Sequence, residues 1–179
     1  MATAAPTGET LTDVEWKAFQ DAVKGAIANL TRHRLEEGKS LEEELILRIT
    51  NIRKQQETVL QLEPQRKIKI KEGLVAKLEE NVGKENYDAN RLEQEIIYYI
   101  EKIDITEEQV RLTNHLDYFL SILKEDNEEK GKKLSFILQE IGREINTTGA
   151  KAYDAAIQKC VVMMKDELEK AKEQVLNVL

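Results

Sequence analysis

After Pro6 the chain meets a single further proline, Pro64, and only eight glycines are spread over its 179 residues. Few positions therefore force a helix to stop, since proline removes a backbone donor and glycine loses the most entropy on ordering. Between these breakers the apolar residues recur three and four apart, which lays one stripe along an α-helix. Leu, Glu, Lys, Gln and Ile dominate the composition, and all except Ile rank among the strong helix formers. An all-α fold follows: an elongated bundle of about six helices with long antiparallel or coiled-coil-like packing.

The boundaries come from caps and breakers. Residues 1–11 are small and polar and read as a disordered lead-in, or as residues left from expression. Thr12 with Glu15 forms a capping box, after which Trp16, Phe19, Val23, Ile27 and Leu30 share one face of a first helix that should stop near Gly38. Ser40 with Glu43 reads as a second box, followed by the stripe Leu45, Ile49, Ile52, Val59 and Leu62, with polar Gln56 at one seam position. Pro64 should kink or restart this helix before Ile68, Leu74, Val75, Leu78 and Val82 continue the pattern. Residues 12–87 thus read as a long helical hairpin region.

Residues 88–179 read as a C-terminal helical domain. Its first helix, about 88–103, carries Leu92, Ile96, Tyr99 and Ile103. Thr106 with Gln109 should cap the next, whose stripe of Leu112, Leu116, Phe119 and Leu123 ends in the hydrophilic run 124–133. Leu134, Ile137, Leu138, Ile141 and Ile145 mark another helix, which Asn146, Thr147, Thr148 and Gly149 could break. Ile157, Val161, Met164, Leu168, Ala171, Val175 and Val178 form a heptad seam, suited to another helix of this chain or to a second subunit.

Charge narrows the function. Lys and Arg number 27 against 34 Asp and Glu, a formal charge of −7, which argues against a simple cationic nucleic-acid sleeve. The longest apolar runs, such as residues 96–100, are far short of the roughly 20 residues a bilayer helix needs. No basic start with an apolar middle marks a secretory signal. The single cysteine, Cys160, excludes an internal disulfide and points to a reducing cytoplasm. No Gly-rich phosphate loop, Cys/His zinc pairing or Gly-x-Ser-x-Gly elbow occurs.

Polar stripes beside the apolar faces are the informative features, because side chains at a core margin are held in position. Arg91, Glu95, Tyr98 and Lys102 form one. Asp104, Glu108, Arg111 and His115 form a second, with Asp104 ahead of its helix. Glu140, Glu144, Thr147 and Lys151 form a third, with Arg143 beside it. Glu140 and Glu144, four apart, can hold a hard divalent cation such as Mg²⁺ or Mn²⁺, which keeps several waters and accepts a phosphate oxygen. His115 could then act as general acid or base. Each feature also has a plainer reading: i, i+4 acidic pairs and Glu beside Arg form surface ion pairs, and His115 can make an interhelical hydrogen bond. The basic run Arg66, Lys67, Lys69 and Lys71 suits either phosphate contact or a solvated face.

Specific strings carry a resemblance. Arg91-Leu92-Glu93-Gln94-Glu95, Asp104-Ile105-Thr106-Glu107-Glu108 with Arg111, Leu112 and His115, and Leu134-Ser135-Phe136 with Gln139-Glu140, Arg143-Glu144, Asn146-Thr147 and Lys151 resemble the YicC-like endoribonuclease family. Arg34, Glu37-Gly38, Leu41, Glu173-Gln174-Val175 and Asn177 extend the likeness to nearly everything from Thr12 onward. Ser135, Gly142 and Ala150 depart from the usual residues, and the strand-rich region that begins such proteins is absent from this sequence. The resemblance implies a C-terminal fragment of a bacterial, cytoplasmic, divalent-metal-dependent endoribonuclease that acts on RNA and assembles as a homo-oligomer, a hexamer in the full-length family. It further implies catalytic roles for Glu95, Asp104, Glu108 and His115, RNA contacts from Arg91, Arg111, Arg143 and Lys151, and Mn²⁺ or Mg²⁺ on Glu140 and Glu144. The alternative is a non-catalytic helical oligomerisation or RNA-adaptor module, with the polar stripes serving as interhelical locks.

Overall fold

The computed structural model describes residues 12–83, 87–125 and 130–178. Every regular element among them is an α-helix: α1 Asp13–Val82, α2 Ala89–Lys102, α3 Thr106–Leu123, α4 Lys130–Ala152 and α5 Ala155–Val175. The all-α expectation holds. The count is five among the described residues, not about six: α1 runs through the breaks expected at Gly38 and Pro64, and the break expected at 146–149 falls instead at 153–154. The lead-in 1–11 and part of the 124–133 run lie outside the described residues.

Each missing break has a local reason. Gly38 stands inside α1, where strong helix formers on both sides outweigh a glycine cost of about 1 kcal/mol. Asp13–Val82 is thus one continuous helix where a hairpin was expected, and Ser40 with Glu43 is helix interior, where no cap is needed. Pro64 also lies within α1. The residues after it are tied to the rest of the fold through Arg66, which offsets the lost backbone bond. In α4 the residues 146–149 stay helical with support from both outside and inside the helix: Thr148 Oγ1 accepts a hydrogen bond from Gln109 Nε2 of α3 at 2.9 Å, and Thr147 Oγ1 donates to the Arg143 carbonyl one turn back. At Gly149 a Cβ would come within 3.0 Å of Val161 Cγ1, so glycine is what lets α5 approach.

Caps were legible in part. The Thr12–Glu15 box forms, with Glu15 Oε2 accepting from the Thr12 N–H at 2.9 Å. The Thr106–Gln109 box does not: Ile105 is the cap residue, Asp104 Oδ1 accepts from the Thr106 N–H at 2.6 Å, and Gln109 is buried and turned to Thr148. Asp88 and Asp154 cap α2 and α5 by accepting from backbone N–H groups of the first turn.

The chain divides into two units, Met1–Ser40 and Leu41–Leu179. In the first, the expected core face is open. Trp16, Phe19, Val23, Ile27 and Leu30 are all exposed, with Trp16 and Phe19 stacked at 5.7 Å, because a lone helix offers its stripe no partner.

In the second unit, the later part of α1 packs with α3, α4 and α5 around one core. Leu45, Ile49, Ile52 and Val59 meet Leu112, Leu116 and Phe119 of α3, Leu138, Ile141 and Ile145 of α4, and the α5 seam, in which Ile157, Val161, Met164, Leu168, Ala171 and Val175 are buried. That seam packs on α4, so within this chain the heptad pattern serves an intramolecular contact. Gly142, against Leu168, repeats the close approach one heptad before Gly149. α1 and α3 are antiparallel, since Arg53 meets Asp117 while Lys67 meets Asp104; so are α3 and α4, where Glu108 meets Lys151 while Tyr118 meets Lys133, and α4 and α5, where Gly142 meets Leu168 while Gly149 meets Val161. Cys160 is core, and burial raises its thiol pKa above the ordinary value. α2 stands apart from this core: within it only Ile96 is buried.

Candidate functional site

The α3–α4 seam carries most of the singled-out residues, and its two ends differ. At the end where α3 begins, polar groups are paired through the core. Lys151 Nζ donates to Glu108 Oε1 at 2.7 Å, and the Glu108 side chain is only 6% exposed. Gln56 Nε2 donates to the Gln109 carbonyl and to Thr113 Oγ1, which explains a polar residue at a seam position of α1. Arg66 closes this end: Nε and Nη2 grip the Glu63 carboxylate at 2.6 and 2.7 Å, Nη1 donates to the Ala152 carbonyl and Nη2 to that of Ile103, both at 2.9 Å. Its side chain is 1% exposed, so the reading of Arg66 as a phosphate contact gives way to that of a structural clamp. Lys67 is likewise engaged, with Asp104 at 2.8 Å.

Asp104 belongs to the same junction. Burial would raise its pKa, but hydrogen bonds from Lys67 and from the side chain and backbone of Thr106 outweigh this and lower it from 3.8 to about 2. It is a fixed anion between α2 and α3.

Farther along the seam the character changes. His115, Tyr118 and Glu140 line a pocket of about 560 Å³ with Lys132, Lys133, Phe136 and Ile137. Antiparallel packing brings His115 of α3 and Glu140 of α4 to this one place. One turn along α4 toward Lys151 sits Glu144, which is 3% exposed, and its side chain makes no hydrogen bond or ion pair with any described residue. Glu108 Oε2 is also buried without a partner. A buried carboxylate without a cation is costly. Lys151 already answers Glu108 through its other oxygen, whereas Glu144 has no cationic partner among the described residues and is the group of the two that suits a positive ligand. No group of three or more His, Cys, Asp or Glu able to hold a metal occurs among the described residues. A divalent ion at Glu140 and Glu144 would rest on two carboxylates and water, which is an ordinary arrangement for Mg²⁺.

The remaining candidates lie elsewhere. Arg91 and Glu95, with Tyr98 and Lys102, are exposed on α2 rather than held at a core margin. Arg111 is exposed and ion-paired with Glu107. Arg143 is exposed on α4, its side chain unpaired among the described residues. Sequence reasoning passed over Tyr118, Lys132, Lys133 and the pocket role of Phe136. A signal existed: an aromatic at 136, off the apolar stripe, next to two lysines.

Comparison with known proteins bears on this geometry. A family described as endoribonuclease YicC-like, C-terminal, matches residues 59–179, which hold every candidate discussed above. The chain is 34% identical over 167 residues to a probable endoribonuclease YicC of Clostridioides difficile, covering 93% of this chain and 57% of that protein. It is 39% identical over 93 residues to a probable endoribonuclease YicC of Haemophilus influenzae, covering 52% of this chain and 32% of that protein. The chain thus spans little more than half the length of the first of these relatives and a third of the second. Through its match over 59–179, the chain belongs to the YicC-like endoribonuclease family, of which it carries the C-terminal region.

Proposed function

We propose that this chain is the helical part of an endoribonuclease and that RNA is cut at the pocket between α3 and α4. The observation that supports this reading is the meeting of His115 and Glu140, from different helices, in one open pocket rimmed by Lys132 and Lys133. The imidazole exchanges a proton with the reacting oxygens, while the ammonium groups hold the phosphate backbone and supply locally the positive surface that a net charge of −7 denies the chain as a whole. Glu140 and Glu144 would hold Mn²⁺ or Mg²⁺, which when bound stabilises the negative charge developing on phosphate. Arg143 extends the cationic rim on α4.

Glu108 and Lys151 position the seam from its buried end. In this reading Asp104 sets the α2–α3 junction, and the exposed Arg91, Glu95 and Arg111 are available to RNA outside the pocket. Homo-oligomeric assembly belongs to the same proposal and is supported by the exposed apolar stripe Trp16–Phe19–Val23–Ile27–Leu30, a contiguous apolar face of the kind that marks interaction surfaces. A cytoplasmic setting is in keeping with one buried free cysteine, and no helix among the described residues is long and apolar enough to cross a membrane.

Cleavage of a structured RNA in Mn²⁺ and in EDTA tests the proposal. Wild type should cut only with the ion, and Glu140→Gln and Glu144→Gln should each lose activity by orders of magnitude while melting as wild type does. Metal-indifferent RNA binding without cutting would favour the adaptor alternative.

A further inference from the structure

The pocket between α3 and α4 holds two rings and two ammonium groups that proton exchange and metal binding leave unexplained. Phe136 is 64% exposed in the body of α4, and Tyr118 is 46% exposed across the seam. Lys133 Nζ stands 5.3 Å from the centre of the Tyr118 ring, and its one carboxylate neighbour among the described residues, Glu125, is 3.8 Å away with both side chains about half in water. Lys132 is exposed, and its side chain has no partner among the described residues. Folding gains little from this arrangement. A solvated phenylalanine lining one pocket with two solvent-accessible ammonium groups is instead what a nucleotide requires: a π-face for the base and positive charge for the phosphate.

We infer that the pocket takes one unstacked nucleotide of a single-stranded RNA segment, its base on Phe136 and its phosphate at Lys132 and Lys133. The inference rests on the RNA-cutting reading and adds the form of the substrate at the cut. In an A-form duplex the base faces are covered by their neighbours and the edges lie in grooves, so neither presents a face to Phe136. A loop, bulge or free end does. The pocket's volume of about 560 Å³ falls within the range of small-ligand pockets, too small for a duplex and ample for one nucleotide. Lys133, poised over Tyr118, leaves Phe136 as the platform open to a base.

Fluorescence anisotropy in EDTA, where the probe stays intact, tests this with a labelled single strand of about 12 nucleotides and the same strand annealed to its complement. The single strand should bind more tightly than the duplex. Phe136→Ala should weaken single-strand binding by about 5- to 100-fold and leave duplex binding alone, and Phe136→Trp should restore it. Lys132→Ala with Lys133→Ala should weaken both probes and flatten the salt dependence. Equal affinity for the two probes, or a Phe136→Ala variant that binds the single strand as wild type does, would overturn the inference. If base docking fails in this way while His115→Ala still abolishes cleavage, RNA cutting at the pocket stands without it. Wild type that binds neither probe would overturn both.

Discussion

The α3–α4 seam is uniform in its apolar residues and divided in its polar ones. Toward the start of α3, Glu108 answers Lys151, Gln109 answers Thr148, and Arg66, paired with Glu63, ties α1 to the carbonyls of Ile103 and Ala152. Toward its end, His115, Lys132, Phe136 and Glu140 surround open space. A polar group beside a core either finds a partner within the fold or remains available to something outside it. The first kind holds the helices in register. The second is where a ligand contributes what the fold does not.

Breaking the paired end should show mainly in stability. Arg66→Ala leaves Glu63 half-stripped and three carbonyls, of Ile103, Lys151 and Ala152, without this donor, and should cost about 3–5 kcal/mol, read as a fall in the denaturant midpoint. Breaking the open end should show only in activity: His115→Ala should slow cleavage by about 10²- to 10⁴-fold with an unchanged melting temperature. A large stability loss there would turn the pocket into another lock. Between these extremes, Glu108→Gln keeps the shape and removes one charge-assisted bond, and should cost about 1.5–3 kcal/mol. Glu108→Gln at no stability cost but with lost cleavage would move Glu108 to the functional side of the comparison.

The smallest effect concerns acid. Asp104 has its pKa lowered from 3.8 to about 2 in the folded chain, so its contribution is full above pH 4 or so and is lost as pH falls toward 2. The side chain is about a third exposed, and solvent screening keeps the effect modest. Asp104→Asn should therefore reduce stability at neutral pH and flatten the acid limb of the pH–stability curve. An unaltered limb would show that the Lys67 pair contributes nothing.

Much of this was readable from residues alone. The stripes of α3, α4 and α5 were assigned to the core and are there, because three or four large apolar residues per two turns have no other way to leave water. The stripe of residues 16–30 looked the same in sequence, yet it is exposed: periodicity says that a face exists, not that something covers it. Gly38 misled because strong helix formers on both sides of it outweigh one glycine, and Pro64 and Gly149 misled for a related reason. Propensity is local, whereas the Arg66 clamp and the close contact of Gly149 with Val161 come from residues distant in the chain. The same distance hid the pocket. Glu140, Glu144 and His115 could be singled out by type and spacing, but Tyr118, Lys132 and Lys133 acquire meaning only when α3 and α4 run antiparallel.

Amide chemical-shift mapping by NMR, as a short single-stranded RNA is added in EDTA, tests the division of the seam most directly. The account predicts the largest shifts at residues 115–118 and 132–140, with little change at 108–109 and 148–152. Shifts concentrated at 108–109 and 148–152, or along α2 at 91–102 with the pocket silent, would contradict it.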